Sequence, residues 1–169
     1  LEVMKKYCFD TSGISNPLES MPEDIHESLW TGFKAKVLES GIVAVTQEIF
    51  TEMEHIPGSV GQCIKDNKDN ILLEVGEDWD WGTYIDHCNN MEDQHKDSIS
   101  EFIGGTKKTV GLTDISIIAL AKTLKLPVVS MESPVTSQSK KLHIPDVCKL
   151  QSVDHLTFSE FCRKEGLKF

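Results

Sequence analysis

Two short, wholly apolar runs constrain this chain most: Ile42-Val43-Ala44-Val45 and Pro127-Val128-Val129, each bordered by sequence of helical period. A run with no polar alternation has no face to offer water, so it belongs to a strand buried on both sides. Such strands occur in parallel sheets, because the helical crossovers that join them cover both faces. Residues 6–9 fit a first strand, stopped by the turn-like group Asp10-Thr11-Ser12-Gly13. Residues 70–75 fit a third, and residues 153–156 a short last one.

Between these runs the period changes. Residues 24–39 place Ile25, Leu29, Trp30, Phe33, Val37 and Leu38 at helical spacing, with Asp24 as N-cap and Gly41 just past the end. Thr46 caps a second helix carrying Ile49, Met53 and Ile56, ended by Pro57-Gly58. Leu112 to Leu126 is the clearest helix, and Ile144-Pro145 opens a short one. A last helix is expected from Thr157 to Lys164. The stretch from Trp79 to Phe102 is acid-rich and sparsely apolar, helical in parts, and broken at Gly104-Gly105-Thr106. The expected architecture is α/β: one domain over residues 4–169, with a central parallel sheet of four to five strands flanked by helices on both faces. Leu1 to Val3, ahead of Met4, read as an extraneous leader. No internal repeat or linker interrupts the pattern.

Composition narrows the function. At 39% hydrophobic and 26% charged, the 169 residues can bury a core. No apolar run approaches the roughly 18 residues that span a bilayer, so no membrane is expected. Lys5-Lys6 are followed by no apolar stretch of a secretory signal. The five cysteines are odd in number and scattered, without CxxC or zinc-finger spacing, and there is no HExxH. Reduced thiols in the cytoplasm are the expectation. The net charge of −10 argues against a generally basic, nucleic-acid-holding surface. The charge is uneven, however: residues 1–100 carry 7 basic and 20 acidic side chains, and residues 101–169 carry 10 and 7. Lys107-Lys108, Lys140-Lys141 and Arg163-Lys164 read either as ordinary solvated surface or as a phosphate-facing rim beside an acidic centre.

Ligands of an open parallel sheet collect beyond the carboxyl ends of its strands. Asp10 directly follows the first strand, and Glu132 comes two residues after Val128-Val129-Ser130. Asp114 lies in the opening turn of the clearest helix, and Glu48 and Glu52 are one turn apart on the helix after the second strand. Each has an ordinary explanation: a turn cap for Asp10, a first-turn helix acid for Asp114, a loop acid for Glu132, surface acids for the two glutamates. Brought to one sheet edge, however, they would repel one another and persist only around a cation. An all-oxygen donor set points to Mg²⁺ or Mn²⁺, and to metal-assisted phosphodiester hydrolysis.

The order and spacing of Phe9-Asp10-Thr11-Ser12, of Leu112-Thr113-Asp114-Ile115-Ser116-Ile117-Ile118-Ala119-Leu120-Ala121 and of Val128-Val129-Ser130-Met131-Glu132 resemble the PIN-domain ribonucleases, which include the VapC-like toxins of toxin–antitoxin pairs. The segment from Lys141 to Cys148 looks like a less-characterised PIN subgroup. The resemblance spans residues 5 to 165 and implies an acidic pocket that binds one or two divalent ions and cuts single-stranded RNA. Carried over, Asp10, Glu52, Asp114 and Glu132 form the acidic quartet, with Glu48 in reserve for Glu52, and Ser12 orients a metal-bound water. A cognate antitoxin and a homodimer are partners the resemblance admits. Glu132 stands where many relatives have Asp, and the acid-rich segment from Glu77 to Asp97 lacks a counterpart in the shortest members and reads as a partner surface or lid. A non-catalytic PIN-like scaffold that binds RNA or protein is the alternative. A phosphotransfer domain ranks behind both, because Ser12 stands where a second Asp would be needed and Pro127 precedes its strand.

Overall fold

The structure, a computed structural model, describes residues 4–76, 79–105, 108–136 and 141–169. Four strands, β1 (Tyr7–Phe9), β2 (Val43–Ala44), β3 (Val128–Val129) and β4 (His155–Leu156), form one sheet in the order β2-β1-β3-β4, every pair parallel. The chain builds β2 on one side of β1 and β3 on the other. The direction of winding therefore reverses between β1 and β3, the place where open parallel sheets leave a crevice at their carboxyl edge. A fifth strand over residues 70–75 does not form. Asn70 and Ile71 are taken into a short helix, α5 (Lys68–Ile71), and a single parallel bridge between Leu72 and Val45 is left.

Side chains of successive strand residues point to opposite faces. Tyr7 and Phe9 meet Phe161 of α9 (Phe158–Glu165) edge-on, with ring centroids 4.8 and 5.0 Å apart. Cys8 turns the other way. That face is closed by α7 (Leu112–Leu124), which packs on β1 and β3, and by α8 (Ile144–Leu150) behind it. Every residue of α7 from Ile115 to Ala121 is buried, as befits a helix enclosed on all sides by sheet and neighbouring helices. Beyond it lies α6 (Trp81–Gln94), packed along α7 through the buried Tyr84 and Met91. The acid-rich stretch thus supplies a covering helix, while Glu77 and Asp78 lie outside the described residues. Among the described residues no helix is long and apolar enough to cross a membrane.

Two further expectations differ from the fold. Residues 10–13 do not turn but start α1 (Thr11–Ser20), with Asp10 as its N-cap. Gly13, Asn16 and Pro17 disguise that helix in the sequence, yet Ile14 and Leu18, four apart, are both buried. Gly13 is required by contact: a Cβ there would lie 2.6 Å from the Val129 carbonyl oxygen. The helix expected over residues 24–39 begins later, as α2 (Glu27–Phe33), and Asp24 does not cap it. Ile25 and His26 both donate to the Pro22 carbonyl in a preceding turn, leaving Ile25 72% exposed. A π-helical turn (Lys34–Leu38) continues α2 and brings Val37 and Leu38 into the core beside Phe33. The helix after β2 is α3 (Gln47–Glu54), capped by Thr46 as expected, and α4 (Ser59–Asp66) follows it.

Replacing Gly13 by alanine is expected to lower stability by about 1–3 kcal/mol, because α1 must move off β3 to admit the methyl group. The urea midpoint measures this; an unchanged midpoint would mean that β3 yields without cost.

Candidate metal centre

The carboxyl ends of β1 and β3 are tied together before any acid is considered. The Asp10 N–H donates to the Val129 carbonyl at 3.0 Å, extending the parallel pairing by one residue. Asp10 Oδ2 then accepts from the Ser12 N–H at 3.1 Å and from the Ser12 hydroxyl at 2.6 Å. The same hydroxyl oxygen accepts from the Met131 N–H at 3.0 Å, so Ser12 links the loop after β3 to the acid after β1. Its proton is committed to Asp10. Ser12 thus orients the Asp10 carboxylate and ties it to the loop after β3.

Glu132 is held from two directions. Its N–H donates to Ser130 Oγ at 3.3 Å, and Ser130 Oγ is 2.6 Å from His155 Nε2. Its Oε2 accepts from the Ile144 N–H at 2.9 Å, at the start of α8. Asp114, at the third position of α7, accepts from the Gly111 N–H at 2.9 Å, the reach-back half of a capping box. One oxygen from each of Asp10, Asp114 and Glu132 lies within 4.8 Å of the others. Asp10 is only 4% exposed, and the other two are half-buried.

The electrostatics follow from this crowding. Burial pushes the Asp10 carboxyl up from 3.8 to about 6; the Ser12 hydrogen bonds oppose the shift, and Glu132 and Glu52 add to it. Asp114 is raised further, to about 7, by burial and then by Asp10, with Glu132 and Glu52 contributing and the Gly111 hydrogen bond opposing. Glu52 is exposed and stands outside the close group, yet its charge reaches both aspartates. Glu48 does not. It lines a separate cavity together with Tyr84 and Cys88. Between described residues no basic side chain forms an ion pair with Asp10, Asp114 or Glu132; the ion pair found joins Lys34 to Glu23.

This donor set suits a hard divalent cation. Oxygens around one Mg²⁺ at about 2.0–2.1 Å lie at most roughly 4.2 Å apart. Neighbouring oxygens of such an ion lie only about 2.9 Å apart, so the three carboxylates would have to draw together to share one ion, with further positions left to water. Thr11 Oγ1, adjacent in the chain to Asp10, is buried without a hydrogen-bond partner among the described residues. The backbone donors Gly111 and Ile144 and the Ser130–His155 pair were not anticipated from the sequence. The first had a local signal only in Asp114 itself, an acid at the third position of a helix, which can reach back to the N-cap N–H.

The fold and site define a single α/β domain with an acidic cluster at the carboxyl edge of a parallel sheet. Residues 7–169 match the family described as a domain of unknown function, DUF4411, and the chain belongs to that family. No match to a curated protein is found.

Asp10 and Asp114 hold protons more tightly in the folded chain than in the unfolded one. Between about pH 4 and 7 the folded state therefore binds more protons, and the metal-free protein should lose stability as pH rises through that window. Asp10→Asn and Asp114→Asn keep the acceptor oxygens but remove the charge. Each is expected to make the metal-free protein more stable than the native chain at pH 7.5 by about 1–3 kcal/mol, a difference that vanishes near pH 4. Saturating Mg²⁺ should raise the native Tm and leave that of the double variant unmoved. Melting curves with chelator and with Mg²⁺ decide this, and an equal Mg²⁺ response in both proteins would dissolve the metal assignment.

Proposed function

We propose that this chain is a metal-dependent endoribonuclease that hydrolyses phosphodiester bonds of single-stranded RNA in the cytoplasm, as the toxin of a toxin–antitoxin pair. The observation that carries the reading is the convergence of Asp10, Asp114 and Glu132 oxygens within 4.8 Å at the switch point of a parallel sheet. These three residues would hold Mg²⁺ or Mn²⁺, one ion or two, and Glu52 adds a fourth negative charge within reach. When bound, the ion supplies charge stabilisation at a phosphoryl oxygen and a more acidic water. Ser12 holds Asp10 in orientation and favours its ionised form through the 2.6 Å bond. Five free cysteines fit a reducing compartment.

A cleft of about 390 Å³ beside Glu132 supports the phosphate-facing rim, since Lys108 and His143 both line it. His143 Nδ1 is 2.8 Å from the Ser133 carbonyl, which fixes the ring beside the cleft. Lys108 is exposed, whereas Lys107 and Lys140 lie outside the described residues. An antitoxin would mask such a site by placing a cationic side chain among the carboxylates. A homodimer is compatible with this reading but contributes no residue to it.

One observation favours a second reading, a non-catalytic scaffold binding RNA or protein. Glu132 Oε2 is already occupied by the Ile144 N–H, so this longer acid serves the loop as well as the cluster. Incubating end-labelled single-stranded RNA with the protein and either Mg²⁺ or Mn²⁺ separates the two. Cleavage is expected, reduced by at least about 10²-fold in Asp10→Asn and abolished by chelator. RNA left intact with both ions would leave the scaffold.

RNA affinity should be weak without metal and fall steeply with salt when metal is present. Lys108→Ala is expected to weaken binding evenly across sequences and to reduce the salt slope by about 1. Tight binding in chelator would contradict both statements.

A further inference from the structure

A second cavity, of about 430 Å³, lies between α3, α6 and α7 and is lined mainly by apolar side chains. Asp114 is two residues from Ser116 of its lining, about 200° around α7, so the acidic cluster and this cavity occupy different faces of that helix. Trp79 and Tyr84 form an aromatic wall, with ring centroids 5.5 Å apart and planes inclined by 57°. The indole is fixed by donation from Nε1 to the Glu74 carbonyl at 2.8 Å, and Tyr84 is only 5% exposed. Glu48 enters from α3 and Glu92 from α6, and no basic residue is among the described residues lining the cavity. Burial, Cys88 and the charges of Glu48 and Glu92 all hold the Tyr84 hydroxyl above its ordinary range. Burial pushes the Cys88 thiol up and the same two carboxylates add to it, so they act on one region from two walls. At the rim, Val75 and Ile85 are 57% and 40% exposed.

A largely apolar concavity of this size, with a few convergent polar groups, has the form of a ligand site. Aromatic faces and carboxylates both attract positive charge, but the apolar walls disfavour a hydrated metal ion. We propose that this cavity binds an organic cation with an apolar body: a guanidinium or ammonium group on an aliphatic stem, held between the Trp79–Tyr84 wall and Glu48 with Glu92. The cation would face both carboxylates, and its stem would cover the exposed rim. The site is independent of the nuclease reading, because none of its four residues belongs to the acidic cluster.

Agmatine, a guanidinium on a four-carbon stem, is the probe for a free small cation. The capped peptide acetyl-Leu-Arg-Leu-amide is the probe for a polypeptide side chain. Each is titrated into the full chain at saturating Mg²⁺, which keeps cations off Asp10, Asp114 and Glu132, and the indole N–H resonance of Trp79 is followed by NMR. Saturable shifts are expected, with affinity falling about tenfold in Glu48→Gln/Glu92→Gln and unaffected in Asp10→Asn. Trp79→Phe, followed by calorimetry, should weaken binding less. Isopentanol, which has the stem without the charge, should bind far more weakly. Tighter binding of the peptide assigns the site to a partner's side chain, because its leucines reach Val75 and Ile85; tighter binding of agmatine assigns it to a free small cation. No saturable shift with either probe, equal affinity in the folded double variant, or equal affinity for isopentanol overturns the proposal.

Discussion

The parallel pairing of β1 with β3 is the constraint on which the rest of this molecule depends. It has only two register pairs, Cys8 with Val128 and Phe9 with Val129, yet it sets the relative height of the two loops that carry acids. The Asp10 N–H extends the ladder, and the Ser12 hydroxyl fastens the chain after β3 to the start of α1. A one-residue slip would turn Phe9 away from Phe161 and break the Ser12–Met131 link together. Core packing and site geometry are thus a single requirement, which explains why Gly13 must let α1 lie directly on β3.

Against that rigid frame stands an electrostatic conflict. Three carboxylates converge where β1, β3 and the N-terminus of α7 meet, and Asp10 is almost wholly withdrawn from water. Local hydrogen bonds from Ser12, Gly111 and Ile144 orient the acids and ease part of the repulsion. They do not supply opposite charge, so burial and like charge leave two aspartates holding protons into the neutral range. A bound cation would relieve that crowding. The net charge of −10 takes on a different meaning here, since part of it is concentrated where a cation would cancel it.

The fold was legible where short apolar runs and helical periods agreed. Val43-Ala44 and Val128-Val129 form parallel strands, Thr46 and Thr157 cap helices, and the apolar stretch of α7 is enclosed. It was illegible where a tertiary contact overrode local preference. α1 contains Gly, Asn and Pro and reads as a breaker, yet Asp10 caps it and burial of Ile14 and Leu18 holds it. Asn70 and Ile71 look like strand but join a helix, and Ile25 has the period of a core residue but sits in a turn.

The candidate site divides in the same way. The chain order alone placed Asp10, Asp114 and Glu132 at element ends, because strands and helices of this period leave few positions for an acid beside a sheet edge. Whether those ends would meet, and which glutamate of α3 would join them, depended on how α3 and α7 pack. Glu48 and Glu52 are one turn apart and equivalent by sequence, but one looks into the cavity beside Tyr84 while the other acts on Asp10 and Asp114. Local sequence thus determined which side chains stand at the ends of elements. Only tertiary structure decided which of them share a space, because the distance between two charges depends on long-range packing that no local pattern encodes.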